Sequence, residues 1–555
     1  MSTALSRTRE ILGVGTIMAI TFAVVGYMLL RFNGIFASND IAAYTRVAAA
    51  IQQSGSLTTQ PVYGNGFGYS AIVALLSSFT GLPITQLQVA ILPFLLVVPV
   101  LAGYVTFRRI LDARRGLFAA VLMLFHPFFL FSAFRTTHEK FIYTFILLAM
   151  FCLYVTFAAR NSATKSRFIL TGYLVILGIV FTNVFFASSF IVSIAIALGC
   201  TFLLSLYYRQ RFSLQRLGYT LGVSFAFLMF VVLFLYPPAR NFIASLGSLS
   251  RQSIFLLLGN APSAIAGGAS PYQSVLAGWN SFGLYLVLIS FYLIVYPAAG
   301  LYWIGRMRRY LSKDSIDREE VPELFVHLLF FVFGIQLSLA VIADQTGLLG
   351  SNTQLRILPI LGFVAVILAT AAAFKLLETV DRDDSAGMSL GTTSSSNVTE
   401  RRWTWLRANL VPLLLVALVV SFGVTGVVKA TTEPAVSHSW VVATDDEQDA
   451  IWWTERTLED EYLWGGYESR LQYAHLIHHP ANPLQNRYDP WKVDIAVQYL
   501  MYSDTIEKRA EIVGAPLPPR DGTNRIYTNG DAQVYWFERY QTLDRFNNAL
   551  RRSQR

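Results

Sequence analysis

Two carboxylates lie where the chain leaves its apolar runs, and they could serve a transfer reaction at a membrane surface. Asp40 lies in the segment RFNGIFASNDIAAYTRVA, shortly after the first apolar run, and Glu139 lies in the polar segment FRTTHEK between two later runs. Ionisable residues at the edge of a membrane span are costly and usually face a cavity or one another. We therefore consider Asp40 and Glu139 as candidates for activating an acceptor hydroxyl.

Each acid also has a plainer interpretation. Asp40, or one of the two residues before it, could cap the helix that the pattern IAAYTRVAAAIQQ predicts. Glu139 could pair with Arg135 or Lys140 as an anchor whose apolar stem is buried and whose charged head reaches the interface. The spacing of these residues leaves both alternatives open.

Cations at the same predicted face could stabilise a phosphate. Arg356 stands where the segment DQTGLLGSNTQLR enters an apolar run, Arg240 lies in another predicted outer loop, and Lys140 follows Glu139 directly. A guanidinium can bind a phosphate with two hydrogen bonds while a lipid tail lies against apolar helices. Alternatively, Arg356 only anchors the end of its helix. The remaining polar residues of the second outer turn, Arg135 and His138, are candidates for contacting the acceptor.

The sequence predicts no firm cofactor or metal site. One acid in each outer loop does not define a compact site, although a divalent cation such as Mg²⁺ or Mn²⁺ could share the work. The three histidines of HLIHHP lack an acid at the spacing of a zinc protease. Cys152 and Cys200 lie inside apolar runs, which argues against a disulfide or a cysteine metal site.

The composition predicts an α-helical polytopic membrane protein that positions these residues. Hydrophobic residues make up 54% of the 555-residue chain and charged residues 14%, with a mean hydropathy of +0.48. Several apolar runs approach the ~20 residues that cross a bilayer, which excludes a soluble enzyme. About eleven spans are predicted, at 11–30, 86–106, 117–133, 141–159, 168–182, 185–206, 217–236, 279–304, 324–342, 357–377 and 410–430.

Basic connections between the runs predict the topology. Clusters of Arg and Lys follow the runs at 108–115, 160–167, 209–216, 306–313 and 401–407. The positive-inside rule puts them in the cytoplasm, with the N-terminus inside and the C-terminus outside. The first outer loop, 31–85, then holds Asp40 and an interfacial helix at 70–80. A flexible cytoplasmic linker is expected within 378–409.

The segment 431–555 has a different character from the membrane domain, 1–430. It carries 19 Asp and Glu against 13 Lys and Arg, and its apolar and polar residues alternate in helical and strand-like patterns. The strand-like segment NRIYTNGDAQVYWFERY contains the pair Asn529-Gly530, which predicts a turn. We expect a small extracellular α/β domain with its own core.

This arrangement resembles the GT-C glycosyltransferases, integral membrane enzymes that use polyprenyl-phosphate sugars. That class has a catalytic acid in the first large outer loop, where Asp40 stands, and often another acid in the second outer loop, where Glu139 stands. Many members have paired acids in the first loop, which this chain lacks. The sequence WWTE at 452–455 only partly matches the WWDYG signature of oligosaccharyltransferases.

Among relatives, the chain is similar to archaeal enzymes, including haloarchaeal ones, that use dolichol phosphate mannose in surface-protein N-glycosylation. The resemblance implies inverting transfer of one sugar, with mannose the expected sugar, from a dolichol- or polyprenyl-phosphate donor to a glycan on a surface protein such as an S-layer glycoprotein. Asp40 would be the base. The implied partners are the lipid donor, the glycoprotein acceptor and membrane lipid, with no nucleic acid. The alternatives are a flippase or transporter of a lipid-linked saccharide, an oligosaccharyltransferase-like enzyme, and a docking subunit of a glycosylation complex.

Overall fold

The computed structural model of the chain is mostly helical, with one small sheet near the C-terminus. The structure describes residues 2–31, 41–57, 66–134, 138–207, 287, 289–313, 316, 317, 319–345, 353–389, 413–428, 444–458, 463, 464, 496–504, 506, 507 and 520–542.

Apolar helices form the membrane part of the structure. In chain order they are α1 (Ser2–Arg31), α2 (Ile41–Ser54), α3 (Gly68–Thr80), α4 (Ile84–Gln86), α5 (Val97–Ile110), α6 (Ala113–Leu124), α7 (Pro127–Phe134), α8 (Glu139–Ala158), α9 (Ser162–Thr182), α10 (Val184–Tyr207), α11 (Ser290–Leu311), α12 (Val321–Gln345), α13 (Thr353–Ser389) and α14 (Leu413–Val428). A π-helical turn and a 3₁₀ turn connect α4 to α5.

The described helices confirm a multi-pass membrane protein. Seven helical segments within the described ranges are long and apolar enough to cross a bilayer, and they lie at Glu10–Leu30, Leu92–Ile110, Glu139–Ala158, Ser162–Thr182, Val184–Thr201, Val321–Ile342 and Arg356–Glu378. The predicted spans 279–304 and 410–430 correspond to α11, described from Ser290, and to the shorter α14. The predicted span 217–236 lies outside the described residues, so the total of eleven stays a prediction.

The predicted span at 117–133 is not one continuous helix, because the chain forms two helices there that meet at His126. Pro127 has no N–H group and is favoured as the first residue of a helix, so it begins α7 instead of continuing α6. The Nδ1 atom of His126 accepts a hydrogen bond of 3.1 Å from a backbone N–H in the first turn of α7. Its Nε2 atom lies 3.1 Å from the Tyr296 hydroxyl, which donates to the carbonyl of Leu358 over 2.9 Å. The break in the helix is therefore capped and tied to α11 and α13.

Ion pairs join helix ends at the side of the bundle where the basic connections were predicted. Arg108 at the end of α5 pairs with Glu10 in α1, and Arg115 at the start of α6 pairs with Glu378 in α13. Further pairs at helix ends are Arg160–Glu319, Arg306–Glu323 and Lys313–Glu320. Arg160 lies between α8 and α9, and Glu378 lies toward the end of α13, so the start of α8, the end of α9 and the start of α13 lie at the opposite side. We call this side the outer end, after the predicted topology.

Two helices of the first outer loop pack together. α2 and α3 share a small core around Tyr44, Tyr69 and Val73, all fully buried. At 13 residues α3 is shorter than a span, as expected for the interfacial helix at 70–80. It ends at Gly81, whose φ of +70° is a left-handed conformation that favours glycine.

The predicted linker is partly helical. α13 extends to Ser389, so the polar stretch that begins at Asp381 continues the helix for more than two turns. This difference from the prediction has a local reason: residues 381–389 contain no proline and only one glycine, so nothing in them stops a helix that is already formed. The rest of the predicted linker, 390–409, lies outside the described residues.

The described part of the C-terminal segment contains one helix and four strands. Helix α15 (Asp445–Thr457) begins with a capping box between Thr444 and Glu447. Four strands, β1 (Leu463–Trp464), β2 (Ala496–Tyr502), β3 (Thr523–Thr528) and β4 (Gln533–Thr542), form a sheet in the order β1-β2-β4-β3. β3 and β4 are the predicted antiparallel hairpin, with Gly530 at a φ of +110° in the turn.

Candidate functional site

A group of buried polar side chains occupies the outer end of the bundle, and we call it the outer polar cluster. Its members come from α2, α3, the turns before α5, the second outer turn with the start of α8, and the residue between α9 and α10. They are Tyr44, Thr45, Tyr69, Gln88, His138, Glu139, Lys140 and Asn183, each at most 8% exposed. Burying so many polar groups is unfavourable unless they bond to one another.

His138 joins three separate parts of the chain within this cluster. The Tyr44 hydroxyl lies 2.6 Å from its Nδ1 atom, and the Asn183 side-chain nitrogen lies 3.0 Å from its Nε2 atom. Tyr44 belongs to the first outer loop, and Asn183 separates α9 from α10. One imidazole therefore connects the first outer loop, the second outer turn and a third helix junction.

A second set of bonds connects the two halves of the first outer loop. The Thr45 hydroxyl donates to Gln88 Oε1 over 2.9 Å, and Gln88 Nε2 donates to the Tyr69 hydroxyl over 3.4 Å. Tyr69 also packs edge-on against Tyr44, with ring centroids 5.1 Å apart. These contacts fix α2 and α3 relative to the turn that leads into α5.

The backbone of the first outer loop docks directly on the end of α9. The Gly66 N–H donates to the Thr182 carbonyl over 3.2 Å. A Cβ atom at Gly68 would lie 2.8 Å from Thr182 Oγ1 and 3.1 Å from the Phe181 carbonyl oxygen. The absence of a side chain at Gly68 is therefore what allows α3 to approach α9 this closely.

Glu139 and Lys140 are buried charged residues at the start of α8, with 8% and 1% exposure. This burial differs from the expected alternative of an anchor, whose charged head would reach the interface. Burial raises the pKa of the Tyr69 phenol well above its usual range; the hydrogen bond from Gln88 opposes this, and the negative charge of Glu139 adds to it. Tyr69 is therefore a neutral hydrogen-bonding group that lies within the field of Glu139.

Arg356 lies at the same end of the bundle as Glu139. It is exposed, near the start of α13, and its guanidinium lies 5.2 Å from the centre of the Phe185 ring. Phe185 stands two residues after Asn183, and the next ring, Phe186, packs against His138 at 6.4 Å. The two phenylalanines that follow the α9–α10 junction thus contact Arg356 and His138.

The other predicted site residues, Asp40, Arg135 and Arg240, lie outside the described residues. Their contacts with Glu139 and Arg356 stay predictions. Asp40 directly precedes the first residue of α2 in the sequence, and α2 carries Tyr44 and Thr45 into the cluster.

Metal ligands are scarce in the described part of the chain. There, no group of three or more His, Cys, Asp or Glu side chains comes together. Within the outer polar cluster Glu139 is the one acid that the structure describes. These residues do not by themselves form a site for a divalent cation.

Tyr44, Tyr69, Gln88 and Asn183 were not singled out from the sequence. A signal for two of them was present, because Gln88 and Asn183 are uncharged amides inside or between apolar runs. Amides in membrane helices usually bond to other helices. The two tyrosines gave no such signal, since aromatic residues are common throughout this chain.

Comparison with known proteins places this arrangement in a known fold. No protein-family model matches the sequence, and no curated protein matches it. The structure is similar to the oligosaccharyltransferase AglB of Archaeoglobus fulgidus in complex with an inhibitory peptide and a dolichol-phosphate, with a TM-score of 0.53 and 12% identity over 92% of this chain and 72% of that one.

It is also similar to ArnT of Cupriavidus metallidurans. For the apo state the TM-score is 0.51, with 13% identity over 96% of this chain and 98% of that one. For the form bound to undecaprenyl phosphate the TM-score is again 0.51, with 14% identity over 95% and 97% of the two chains. Both proteins are GT-C glycosyltransferases. The chain therefore has the GT-C fold, as a multi-span membrane protein with a C-terminal globular part.

Proposed function

We propose that the chain is a membrane glycosyltransferase that transfers a single sugar from a polyprenyl-phosphate donor to a glycan on a cell-surface protein. The observation that carries this proposal is the likeness to GT-C transferases over more than nine-tenths of the chain. AglB and ArnT were solved with dolichol-phosphate and undecaprenyl phosphate respectively. A lipid phosphate donor is the shared feature that we extend to this chain.

The outer polar cluster supports an outer-face reaction. It brings Glu139 and Lys140 together with residues of the first outer loop, at the end of the bundle opposite the ion-paired basic connections. In this proposal the Asp40 carboxylate accepts the proton of the acceptor hydroxyl while that oxygen attacks the anomeric carbon. The bond from that carbon to the phosphate oxygen breaks, the electron pair leaves with the polyprenyl phosphate, and the configuration inverts.

Charge that develops on the leaving phosphate needs fixed cations. Arg356 is an exposed guanidinium at the outer end, where it can reach a lipid phosphate, and Lys140 lies buried beside Glu139. Arg240 is the third candidate. Fixed positive charge in a site with little water stabilises such a transition state more than it would in bulk solvent.

We further propose dolichol phosphate mannose as the donor and a glycan of an S-layer-type surface glycoprotein as the acceptor. This step rests on the sequence resemblance to archaeal mannosyltransferases. The proposed location is the cell membrane, with the N-terminus in the cytoplasm and the C-terminal domain outside. A divalent cation is an optional part of the proposal, tested by adding a chelator and then Mg²⁺ or Mn²⁺.

The test uses a strain that lacks the native gene. Mass spectrometry of its surface glycans should show the loss of one terminal hexose, which the wild-type gene restores. Complete loss of the glycan would contradict the proposal and favour a flippase or an oligosaccharyltransferase-like enzyme. Unchanged glycans would contradict all three.

Variants then test the carboxylates. Asp40→Asn should fail to restore the hexose, and Glu139→Gln should restore it only in part, because a removed base lowers the rate far more than a removed neighbour. Asp112→Asn is the matched control, since Asp112 caps α6 at the opposite end of the bundle and Asn can keep that hydrogen bond. Full activity of Asp40→Asn, with normal protein levels, would refute Asp40 as the base.

A further inference from the structure

The hydrogen bonds around His138 have a fixed direction, and the direction begins at Asn183. The backbone N–H of Phe186 donates to Asn183 Oδ1 over 3.0 Å. This bond fixes which end of the amide is the oxygen, so the NH₂ group faces His138 at 3.0 Å. An amide nitrogen donates hydrogen bonds and does not accept them.

The donor at Asn183 determines the tautomer of His138. Its Nε2 atom must accept from Asn183, so the ring proton resides on Nδ1. An imidazolium is disfavoured, because it would direct a second N–H at the Asn183 NH₂ group. The Nδ1–H group then donates to the Tyr44 oxygen at 2.6 Å. Tyr44 in turn directs its own hydroxyl hydrogen away from His138.

We propose that Tyr44 donates a hydrogen bond to an anionic oxygen of the transfer site, and that His138 and Asn183 are positioning residues that fix this direction. The inference rests on the proposed function, because the anionic oxygen belongs to that reaction. It is either a carboxylate of the outer loops or the phosphate of the lipid donor. Both are hydrogen-bond acceptors, and a neutral donor held in a fixed position stabilises the negative charge of either one.

The surroundings of Tyr44 favour an anion over a neutral acceptor. Tyr44 lies in α2, which directly follows Asp40 in the sequence, and its ring packs on Tyr69, which lies in the field of the Glu139 charge. A hydroxyl that already accepts a hydrogen bond is a better donor, because the bonds in a chain polarise one another. A hydrogen bond to a charged acceptor is about twice as strong as one between neutral groups.

The direction can be tested without any activity measurement. The full chain, labelled with ¹³C and ¹⁵N at its 7 histidines and embedded in lipid bilayers, is studied by solid-state NMR. The His138 signals are identified by their absence in His138→Asn. We expect a neutral ring protonated at Nδ1 at pH 7. A ring protonated at Nε2, or an imidazolium, would overturn the proposed direction.

Kinetics test the role of Tyr44. Tyr44→Phe should lower kcat/KM by about 10- to 100-fold, the effect of losing one hydrogen bond to a charged group. His138→Asn puts an amide donor near the position of Nδ1 and should retain most of the activity, whereas His138→Gln puts its amide near Nε2 and should not. In the Tyr44→Phe background, neither His138 variant should lower kcat/KM further, because His138 acts through Tyr44.

The matched control is Tyr104→Phe. Tyr104 is also a buried tyrosine whose hydroxyl donates to a carboxylate, that of Glu10 at 2.7 Å, but it lies at the opposite end of the bundle. The Tyr104→Phe protein should lose thermal stability without losing activity. Equal losses of activity in Tyr104→Phe and Tyr44→Phe, or additive losses for Tyr44 and His138, would overturn the proposal in favour of a purely structural role.

Two further measurements identify the anion. If Tyr44 serves a carboxylate, Tyr44→Phe should move the acidic limb of the kcat/KM profile to higher pH, because the ionised acid loses a donor. Glu139, Lys140 and Tyr69 are the titratable neighbours that this profile must consider. If Tyr44 serves the phosphate, the variant should raise KM for the lipid donor and leave that limb unchanged. If Tyr44→Phe changes neither the acidic limb nor the KM for the lipid donor, the proposal is overturned.

Failure of the inference differs from failure of the proposed function. A wild-type protein that transfers no sugar refutes the function and, with it, the role of Tyr44 in transfer. The NMR result then still decides whether the hydrogen bonds have the stated direction. An active wild type with unaffected Tyr44→Phe refutes the inference alone.

Discussion

Gly68→Ala tests whether the close approach of α3 to α9 supports the site. The new methyl group would lie 2.8 Å from Thr182 Oγ1, and 3.1 Å from both the Phe181 carbonyl oxygen and Thr182 Cα. The Thr182 hydroxyl is held by its own bond of 2.7 Å to the Gly178 carbonyl, so it does not rotate away freely. The remaining two atoms are backbone. Relief therefore requires α3 to move away from the α9–α10 junction.

The magnitude follows from overpacking. Inserting a methyl group into a tightly packed contact costs about 1–3 kcal/mol, and replacing a helical glycine by alanine returns about 0.5–1 kcal/mol. The midpoints of these two ranges leave a net loss of about 1 kcal/mol, which falls on the docking of the first outer loop. It would lower the ratio of docked to undocked loop by about 5-fold. Because α3 contacts α2, which carries Tyr44, activity should fall together with docking.

The assay combines hydrogen–deuterium exchange with sugar transfer by the full chain in lipid nanodiscs. Gly68→Ala should increase exchange in α2 and α3 and lower kcat/KM, with little change in α12 and α13. Adding Thr182→Ala removes the 2.8 Å contact. The double variant should regain part of the protection from exchange and part of kcat/KM, since the backbone contacts remain. Gly334→Ala is the control, because a Cβ atom at that helical glycine has no neighbour within 4 Å.

Two results would refute this reasoning. The first is a Gly68→Ala protein with wild-type exchange and activity, which would mean that the contact yields at no cost. The second is a double variant with Thr182→Ala that is no better than Gly68→Ala alone, which would mean that the loss does not come from this contact.

Two further predictions concern other parts of the chain. Gly362→Ala would put a Cβ atom 2.6 Å from His126 Nε2 and 3.1 Å from the Tyr296 hydroxyl, and it should lower the thermal unfolding temperature, measured in nanodiscs, without a change in the His138 NMR signals. Burial and the charges of Asp504, Glu447 and Asp446 raise the pKa of Asp531, against a backbone hydrogen bond that lowers it. The ionised form is thus disfavoured in the folded state. Asp531→Asn should therefore stabilise the β3–β4 hairpin and slow its hydrogen exchange at pH 7. This gain in stability should vanish below the unfolded pKa of about 4, where Asp531 is protonated in both states. Equal or faster exchange in the variant at pH 7 would contradict this sign.

The helices that could be predicted are those whose apolar runs have no internal break. The runs at 141–159 and 185–206 end within a few residues of α8 and α10, because polar residues bound them on both sides. The run at 117–133 could not be resolved by hydropathy, since His126 and Pro127 hardly lower its average. The sign of the break is Pro127 itself, because proline is favoured at the first position of a helix and not in its interior.

The candidate site was partly predictable for a related reason. Glu139 and Lys140 could be found, because charges at the end of an apolar run are conspicuous. Tyr44 and Asn183 could not be connected to them, since their positions in the sequence are 94 and 45 residues from His138. Hydropathy gives each helix end its side of the membrane, whereas the contacts between those ends depend on packing across the bundle.

The fixed direction of the hydrogen bonds in the outer polar cluster suits a reaction that moves negative charge. The cluster is buried, so its hydrogen bonds lie in a medium of low dielectric constant, where their direction has a large effect. If the hydrogen bonds from Asn183 through His138 to Tyr44 were free to reverse their direction, the anion would have to order them during the reaction. A chain already fixed by the Phe186 backbone needs no such reordering, which is the condition under which dipoles stabilise a transition state. The contact that most directly tests this argument is the one at the beginning of the chain: Asn183→Leu should release the direction of His138, broaden its NMR signals over both tautomers, and lower kcat/KM as far as Tyr44→Phe does.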